Sequence, residues 1–306
     1  MLILYFSIIF NILSFTTQKT IISGYIYDSY TKKPIPYSNI YIKNKYGTTS
    51  NNIGYFSLKL KDLNNNDTLY FSSLGYIPKK IILSEVRNSN IEIYLTPTSY
   101  KINEVNISSE KTNYDIKRLG PKKKRKICNI TDNVKLNELP SEIGTIFYPE
   151  QKCFLKSVEV YISKTGKYKT KFRVNVYDKN SKTGLPNNNL LKENVFAKAN
   201  KGNKWVSIDL SKYNIKVDTS GFFVFIETIN VGDKGLYIQK FKQIDANKKR
   251  TNTHIDTSYG ARVLQCTTVN DKYQTYTNRF YYENKFWIRT DTYPLIGAYV
   301  YYSVEK

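Results

Sequence analysis

Residues 31–60 read TKKPIPYSNIYIKNKYGTTSNNIGYFSLKL, and this stretch decides the fold of the first part of the chain. Apolar and polar residues alternate in YSNIYIK (37–43) and again in YFSLKL (55–60), which is the period of a half-buried β-strand. Asparagine and glycine separate the two runs, and both residue types tolerate the positive φ angles of tight turns. The stretch therefore predicts short strands joined by tight turns.

The same pattern continues on both sides of this stretch. ISGYIYD (22–28) precedes it, and TLYFSS (68–73), YIPKKIIL (76–83) and IEIYL (91–95) follow. Short alternating runs with turns about every 8–12 residues are typical of a small antiparallel sandwich. We therefore expect a seven-stranded Ig-like or transthyretin-like sandwich over residues 19–97, in which no residue has an evident chemical role.

Four pieces in order carry a resemblance to a known family: ISGYIYDSYTKKPIPYSNIYI, GTTSNNIGYFSL, LYFSSLGY and IEIYLTP. This part of the chain resembles the carboxypeptidase-regulatory-like domain, a transthyretin-like sandwich. In that family the domain follows a metallocarboxypeptidase or precedes the plug of a TonB-dependent outer-membrane receptor. KINEVNIS (101–108) resembles the segment that leads into such a plug.

Neither setting fits the rest of the chain. A zinc carboxypeptidase site needs two histidines and a glutamate on the metal, whereas the chain has one histidine, His254. A receptor barrel of about 22 strands needs more residues than follow Ser108, because these also hold a basic run and long polar loops. We therefore expect no enzyme or transporter beside the module, and neither a metal nor a cofactor.

The N-terminal segment is typical of an export signal. Residues 2–15 are mostly apolar, which is too short for a comfortable membrane span of about 20 residues but fits the apolar region of a signal peptide. We expect residues 1–17 to be a signal peptide with cleavage just after Thr16. The alternatives are an uncleaved anchor and a buried core segment. Export would place the protein in the periplasm, on the outer-membrane surface or in the medium.

The formal charge of +22 arises from 47 basic and 25 acidic residues. It indicates either an anionic partner or codon bias toward lysine, asparagine, isoleucine and tyrosine. Residues 98–126 are predicted to form a basic linker, and behind a signal peptide a nucleic-acid partner is not expected. The linker is either solvated or contacts an anionic surface, such as lipopolysaccharide or an acidic glycan. The contact residues would be Lys122, Lys123, Lys124, Arg125 and Lys126.

A second β pattern begins near residue 127. KSVEVYIS (156–163), KFRVNVYD (171–178) and KWVSIDLS (204–211) alternate, whereas GFFVFIETI (221–229) is apolar on both faces, as a doubly buried central strand would be. RVNVYDKNSKTGLPNNNLL, WVSIDLSKYNI and GFFVFIE resemble the jelly-roll sandwiches of carbohydrate-binding-module type that are appended to exported bacterial proteins. We therefore expect a jelly-roll-like β-sandwich over residues 127–306.

The chain offers few catalytic arrangements. His254, Asp256 and Ser258 have the residue types of a catalytic triad, but neighbours on one strand cannot form one. Two carboxylates could instead meet across the second sandwich, as in a glycosidase. The available acids are Asp178, Asp209, Glu227 and Asp291, and no sequence feature pairs them.

The three cysteines have no CxxC spacing, which argues against a metal cluster. After export they could form one disulfide and leave one free thiol, or remain three buried thiols. They are Cys128, Cys153 and Cys266.

NRFYYENKFWIRT (278–290) is predicted to form a hairpin around Asn284. This pairing places Tyr281 opposite Trp287 on a face that also carries Arg289. One interpretation is an aromatic platform on which a sugar ring stacks, with Arg289 donating hydrogen bonds. The other is plain cross-strand packing of the two rings.

Together these observations predict an exported, two-domain, all-β protein that acts without catalysis at the envelope or cell surface. It would be a binding or scaffold protein, with a glycan or another envelope protein as partner. The alternatives are a secreted hydrolase that uses carboxylates of the second sandwich and a binder of acidic polymers that uses the basic linker.

Overall fold

The computed structural model describes residues 20–43, 45–60, 64–86, 90–98, 114–121, 128–129, 141–229, 236–244, 251–267, 275–279, 286–290 and 292–303. In these ranges the chain is β throughout except for two short 3₁₀ helices, Leu83–Glu85 and Ser211–Tyr213. The predicted all-β fold class is confirmed. Within the same ranges no helix has the length and apolarity that a membrane span requires. The predicted signal peptide lies outside them.

The first sandwich consists of two sheets with strand orders β4-β1-β7 and β3-β2-β5-β6. Its strands are β1 (Thr20–Asp28), β2 (Asn39–Ile42), β3 (Tyr46–Thr49), β4 (Tyr55–Leu60), β5 (Thr68–Ser72), β6 (Lys79–Ile82) and β7 (Asn90–Leu95). The apolar faces of the two sheets pack together, and Ile26, Ile40, Phe56 and Phe71 are among the buried side chains of this core.

One pairing differs from the predicted antiparallel arrangement. β7 lies beside β1 in parallel register, with Ile26 opposite Ile93. Between β4 and β7 the chain passes through β5 and β6 in the other sheet, so it returns to β1 in the parallel direction. Alternation of apolar residues shows which face of a strand is buried but does not encode strand direction.

The turn from β3 into β4 explains the NNIG sequence of residues 51–54. Asn51 Oδ1 accepts hydrogen bonds from the backbone N–H groups of Ile53 and Tyr55, each at 3.0 Å. Gly54 has a φ of 74°, and a Cβ at this position would lie 2.7 Å from the carbonyl oxygen of Ile26. Glycine is therefore required here both for its φ angle and for the close approach of the turn to β1.

The second sandwich is larger and its strands begin before residue 127. They are β8 (Tyr114–Leu119), β9 (Cys128–Asn129), β10 (Ser141–Phe147), β11 (Cys153–Gly166), β12 (Phe172–Lys179), β13 (Pro186–Asn189), β14 (Val195–Ala197), β15 (Lys204–Asp209), β16 (Lys216–Val217), β17 (Phe222–Thr228), β18 (Leu236–Ile244), β19 (Thr251–Tyr259), β20 (Ala261–Val263), β21 (Gln265–Thr267), β22 (Thr275–Arg279), β23 (Phe286–Thr290), β24 (Thr292–Pro294) and β25 (Ile296–Ser303).

Two sheets of this sandwich enclose its main core. One has the order β13-β12-β17-β10-β22-β23 and the other β15-β11-β25-β8. Val174 of β12 and Val224 of β17 share the core with Val160 of β11 and Ala298 of β25. All six residues from Phe222 to Glu227 are buried, so the prediction of a doubly buried central strand is confirmed. The jelly-roll topology stays a prediction.

The structure differs from the predicted linker over residues 98–126, because β8 pairs with β25 along its full length. Arg118 on β8 donates hydrogen bonds from Nε and Nη2 to Glu159 Oε1 and from Nη1 to the carbonyl oxygen of Gly120. Asp115, Ile116 and Lys117 are exposed on this edge strand, which explains why β8 lacks the alternating pattern of a half-buried strand.

A third small sheet, with the order β24-β21-β9, contains the disulfide between Cys128 and Cys266. Cys153 is a free, buried thiol at the start of β11. Of the two alternatives for the cysteines, the structure thus contains one disulfide and one free thiol.

Candidate binding site between the two sandwiches

A row of polar side chains lies on the outer face of β12, β17 and β10. Along each of these strands the inward residues belong to the core of the second sandwich, whereas alternate residues point to the opposite face. Glu227 of β17 lies opposite Arg173 of β12 on one side and opposite Glu142 of β10 on the other. Two acids and one arginine therefore stand side by side on neighbouring strands.

Arg173 pairs with Glu227 in a buried ion pair. Its Nη1 donates to Glu227 Oε1 at 2.7 Å and to Oε2 at 2.8 Å, and the two side chains are 6% and 2% exposed. Like charges directly opposite each other in a sheet are destabilising, so the Glu142–Glu227 pair needs a compensating cation. Arg173 supplies that positive charge beside Glu227.

Asn175 and Tyr177 connect Glu142 to this ion pair. Asn175 Nδ2 donates to Glu142 Oε1 and, at 3.1 Å, to Glu227 Oε2. The hydroxyl of Tyr177 donates to Glu142 Oε1 at 3.0 Å. Burial, followed by the charges of Glu142 and Glu227, raises the pKa of Tyr177 well above its ordinary value. Tyr177 therefore remains a hydrogen-bond donor at physiological pH.

The first sandwich covers this row and contributes Tyr37 and Asn39. Arg173 Nη2 donates to the backbone carbonyl of Tyr37, and Asn39 Nδ2 donates to Glu227 Oε1 at 3.3 Å. The Tyr37 ring packs against Phe196 of β14 with 4.6 Å between ring centroids. Tyr37 has a φ of 57°, which is unusual for a residue other than glycine. The buried polar row is thus also the junction between the two sandwiches.

A cleft of about 420 Å³ lies between the sandwiches at this junction. Its lining residues come from both sandwiches, and all of them except Leu74 carry a polar group. The first sandwich contributes Asn39, Tyr41, Ser72, Ser73 and Leu74, and the second contributes Glu142, Arg173, Asn175, Tyr177, Asn187, Asn188, Asn189, Asn194 and Glu227. Asn194 Nδ2 donates to Ser73 Oγ at 3.1 Å, which is a further hydrogen bond across the junction. The cleft has the volume of a small-molecule site, and polar groups of both sandwiches converge on it.

Another cavity, of about 450 Å³, lies beside Cys153 and is lined by Phe154, Val217, Lys152, Lys216 and Asp218. Burial raises the pKa of the Cys153 thiol to about 11, which leaves it largely protonated and weakly nucleophilic at neutral pH. The cavity therefore lacks a reactive thiol.

The carboxylates predicted for a hydrolase do not come together as a set. Asp178 Oδ1 on β12 accepts from the backbone N–H of Asn188 on β13 at 2.6 Å, so it links the two strands. Asp209 Oδ1 accepts from the backbone N–H of Ser211 at 2.9 Å, so it supports a local turn. The bonds to Ser211 lower the pKa of Asp209. Asp291 lies outside the described residues. Glu227 alone belongs to the polar row, and its neighbour there is Glu142.

The predicted aromatic platform has a different register. β22 and β23 pair with Asn278 opposite Trp287, and Tyr276 opposite Arg289, instead of Tyr281 opposite Trp287. Strands that mix aromatic and polar residues on both faces specify their register weakly, which explains the error. Tyr281 lies outside the described residues. Sugar binding at Trp287 and Arg289 therefore stays a prediction, but without the predicted pairing of Trp287 with Tyr281.

The sequence also singled out a basic run and three residues of β19. Lys122, Lys123, Lys124, Arg125 and Lys126 lie outside the described residues. His254, Asp256 and Ser258 lie along β19, and His254 is paired in register with Phe241 of β18. In the described ranges, histidine, cysteine and acidic side chains form no group of three or more that could hold a metal ion.

Sequence reasoning missed Glu142, Arg173, Asn175 and Tyr177. The signal that could have found the last three is KFRVNVYD itself, because its alternate residues after Phe172 are arginine, asparagine and tyrosine. Polar residues on one face of a strand normally indicate a solvated face. Here the first sandwich covers that face. The alternation of apolar and polar residues along a strand does not show whether a distant part of the chain covers its polar face.

Comparison with known proteins supports the assignment of the first sandwich. Residues 22–107 match the sequence model of the CarboxypepD_reg-like domain. This confirms the resemblance drawn from the strands and turns of that region. Searches of curated proteins and of solved structures gave no significant match.

Proposed function

We propose that this protein is an exported, non-catalytic binding scaffold of the bacterial envelope or cell surface. In this proposal its two β-sandwiches are held in one arrangement and present the cleft between them to a partner. The observation that carries the proposal is the buried junction, in which Arg173 contacts both Glu227 and the backbone of Tyr37. The net contribution of a buried ion pair to stability is small, because desolvation of the two charges offsets their attraction. Its best-supported role is to favour one arrangement of the packed elements over others.

The geometry of the acids supports the non-catalytic part of the proposal. General acid–base catalysis needs a carboxyl group that can exchange a proton with a substrate. Glu227 accepts hydrogen bonds on both oxygens from Arg173, and others from Asn39 and Asn175, while Glu142 is only 1% exposed. Acids with such contacts and such burial are typical of a structural role.

The hydrolase alternative rests on one observation, the register that places Glu142 directly opposite Glu227. Retaining glycosidases likewise use two neighbouring carboxyl groups. A panel of chromogenic aryl glycosides distinguishes the two functions, with Glu142→Gln as the matched variant. The scaffold predicts no turnover by either protein, whereas turnover that is lost in Glu142→Gln would establish the hydrolase.

Two observations support export. The segment of residues 2–15 has the composition of a signal peptide, and disulfides such as Cys128–Cys266 form and persist mainly in oxidising compartments. The native protein should begin near Thr17 when its N-terminus is sequenced. An intact Met1 in a membrane fraction would instead make the segment an anchor.

Calorimetry of the full chain tests whether the two sandwiches act as one unit. The wild type should unfold in one transition, and the double variant Tyr37→Ala/Asn39→Ala should unfold in two, because it removes side chains that cross the junction. Tyr30→Ala/Asn52→Ala is the matched control, since both of these side chains are exposed on the same sandwich. Separate transitions already in the wild type would contradict the scaffold.

A further inference from the structure

Three turns of the first sandwich each expose a large apolar side chain. These side chains are Tyr30 between β1 and β2, Ile53 between β3 and β4, and Ile77 between β5 and β6, and they are 74%, 51% and 54% exposed. Single exposed apolar residues are common on protein surfaces, whereas several that share one surface mark an interaction site. Hydrogen bonds to the end of β1 show that the three turns lie together.

Asp28, the last residue of β1, holds two of these turns. Its Oδ1 accepts a hydrogen bond from the backbone N–H of Tyr30 at 2.8 Å, and its Oδ2 accepts one from the hydroxyl of Tyr76 at 3.0 Å. Tyr76 directly precedes Ile77. One carboxylate thus anchors the turns that carry Tyr30 and Ile77, so both turns lie at the same end of β1.

The third turn lies against the same end of β1. The backbone N–H of Ile26, two residues before Asp28, donates to the carbonyl oxygen of Gly54 at 3.0 Å, and Gly54 directly follows Ile53. A Cβ at Gly54 would lie 3.1 Å from the Cβ of Pro34, which follows the first turn. All three turns are therefore fixed to the last residues of β1, and together they form what we call the turn surface.

The exposed charges of the turn surface are positive. Lys32 and Lys33 lie in the first turn, Lys79 directly follows the third, and all three lysines are exposed. Asp28 is the only acid among residues 28–34, 51–54 and 73–79, all of which the structure describes. It is 8% exposed, and its carboxylate is engaged in the hydrogen bonds given above. The turn surface therefore fits a partner that is both anionic and apolar.

We infer that the turn surface docks the protein on an anionic lipid membrane. Tyr30, Ile53 and Ile77 would enter the boundary between headgroups and acyl chains, where burial of apolar area is favourable and tyrosine is enriched. The lysines would lie at the lipid phosphates, because basic residues near an anionic leaflet are attracted to it. The inference goes beyond the proposed scaffold, since it concerns a surface other than the cleft.

Two other partners fit the turn surface less well. An acidic glycan would attract the lysines, but it offers hydroxyls and carboxylates instead of hydrocarbon to Ile53 and Ile77. A second copy of the chain would bring together two molecules that each carry a formal charge of +22, and these repel each other. A lipid surface alone among the three supplies both the negative charge and the hydrocarbon.

Co-sedimentation with lipid vesicles at physiological ionic strength tests this docking. The protein is the processed form that begins near Thr17, so that residues 2–15 cannot insert. The vesicles consist of phosphatidylcholine alone or of an equimolar mixture with phosphatidylglycerol, and soluble polygalacturonate serves as the acidic polymer.

Two double variants test the two kinds of contact, each with a matched control. Ile53→Ser/Ile77→Ser removes apolar side chains, and Ile21→Ser/Ile82→Ser is its control, because Ile21 and Ile82 are 46% and 41% exposed at the opposite end of the sandwich. Lys32→Gln/Lys33→Gln removes charge. Its control is Lys164→Gln/Lys201→Gln, which changes the charge equally at exposed positions of the second sandwich.

The wild type should bind the mixed vesicles about tenfold or more tightly than the neutral ones. Each test variant should weaken binding to the mixed vesicles by about tenfold or more, while neither control does. Unchanged melting temperatures would show that the variants are folded. If the isoleucine variant melts lower, Tyr30→Ser replaces it, at the most exposed of the three positions, and should also weaken binding.

Absence of binding to the mixed vesicles would overturn the inference. An isoleucine variant that binds these vesicles as tightly as the wild type would do so too, because lysines alone would then attract the acidic surface. Binding of polygalacturonate in place of the vesicles would assign the turn surface to an acidic polymer instead. The calorimetric test of the scaffold uses other side chains, so the two proposals can fail separately.

Discussion

Glu227 is held by three neighbours, and its removal should affect the folded protein more than that of any surface acid. Glu227→Gln should lower the free energy of unfolding by about 3–5 kcal/mol, because Arg173 would remain buried without a charged partner. Glu193→Gln is the matched control, since the Lys212–Glu193 pair is largely exposed, and it should cost about 1 kcal/mol or less. Urea unfolding measures both, and equal losses would mean that Glu227 is not buried.

Cys153 gives a prediction about pH. Because burial raises its thiol pKa to about 11, the thiolate fraction should rise about tenfold per pH unit between pH 8 and pH 10. The rate of alkylation by iodoacetamide should rise in the same proportion. Free cysteine serves as the reference, since its rate levels off above its ordinary pKa of about 8.5. A plateau near that pH for the protein would show that the thiol is accessible to solvent.

Among the strands, β10 depends on a glycine at the centre of its pairing with β17. A Cβ at Gly144 would lie 2.2 Å from the carbonyl oxygen of Val224 and 2.5 Å from the ring of Phe225. We expect Gly144→Ala to lower the free energy of unfolding by about 1–3 kcal/mol or more, because the backbone of β17 must move.

Gly184→Ala provides the comparison for this substitution. Gly184 lies in a turn with a φ of 72°, and the nearest atom to an added Cβ is 3.9 Å away. Its cost should be only about 1 kcal/mol and should come from the φ angle alone. Thermal unfolding of both variants is the measurement, and an equal or smaller loss for Gly144→Ala would contradict the close approach of β10 and β17.

The strands of the first sandwich were predictable because each has one buried face and ends in a turn with its own sequence signature, such as Asn51 and Gly54. β8 was not predictable, because its side chains are mostly exposed and its partner β25 lies at the other end of the chain. The predicted pairing of Trp287 with Tyr281 was wrong for a related reason. Apolar alternation does not fix the register of two strands when both of their faces carry aromatic residues.

The candidate site depends on the packing of the two sandwiches against each other. Its residues come from β2, β5, β10, β12, β13 and β17 and from loops of both sandwiches, and each is of an ordinary type for its position in the sequence. In the sequence Glu227 is one acid among several, and its pairing with Glu142 and Arg173 depends on strand order, which the sequence pattern does not contain. The candidate site could therefore not be predicted from the sequence, because it forms only where one sandwich covers a sheet of the other.

The two sandwiches should hold one fixed arrangement, and this can be tested by measuring the distance between a site on each of them. Spin labels can be attached to Ser57→Cys on β4 and Lys201→Cys in the second sandwich, both at exposed positions, with Cys153→Ala to remove the native thiol. Pulsed electron–electron double resonance should give one narrow distance distribution for the protein with its junction intact. The Tyr37→Ala/Asn39→Ala variant should give a broader one. A broad distribution in the protein with its junction intact would show that the two sandwiches move relative to each other, and they would then not form one scaffold.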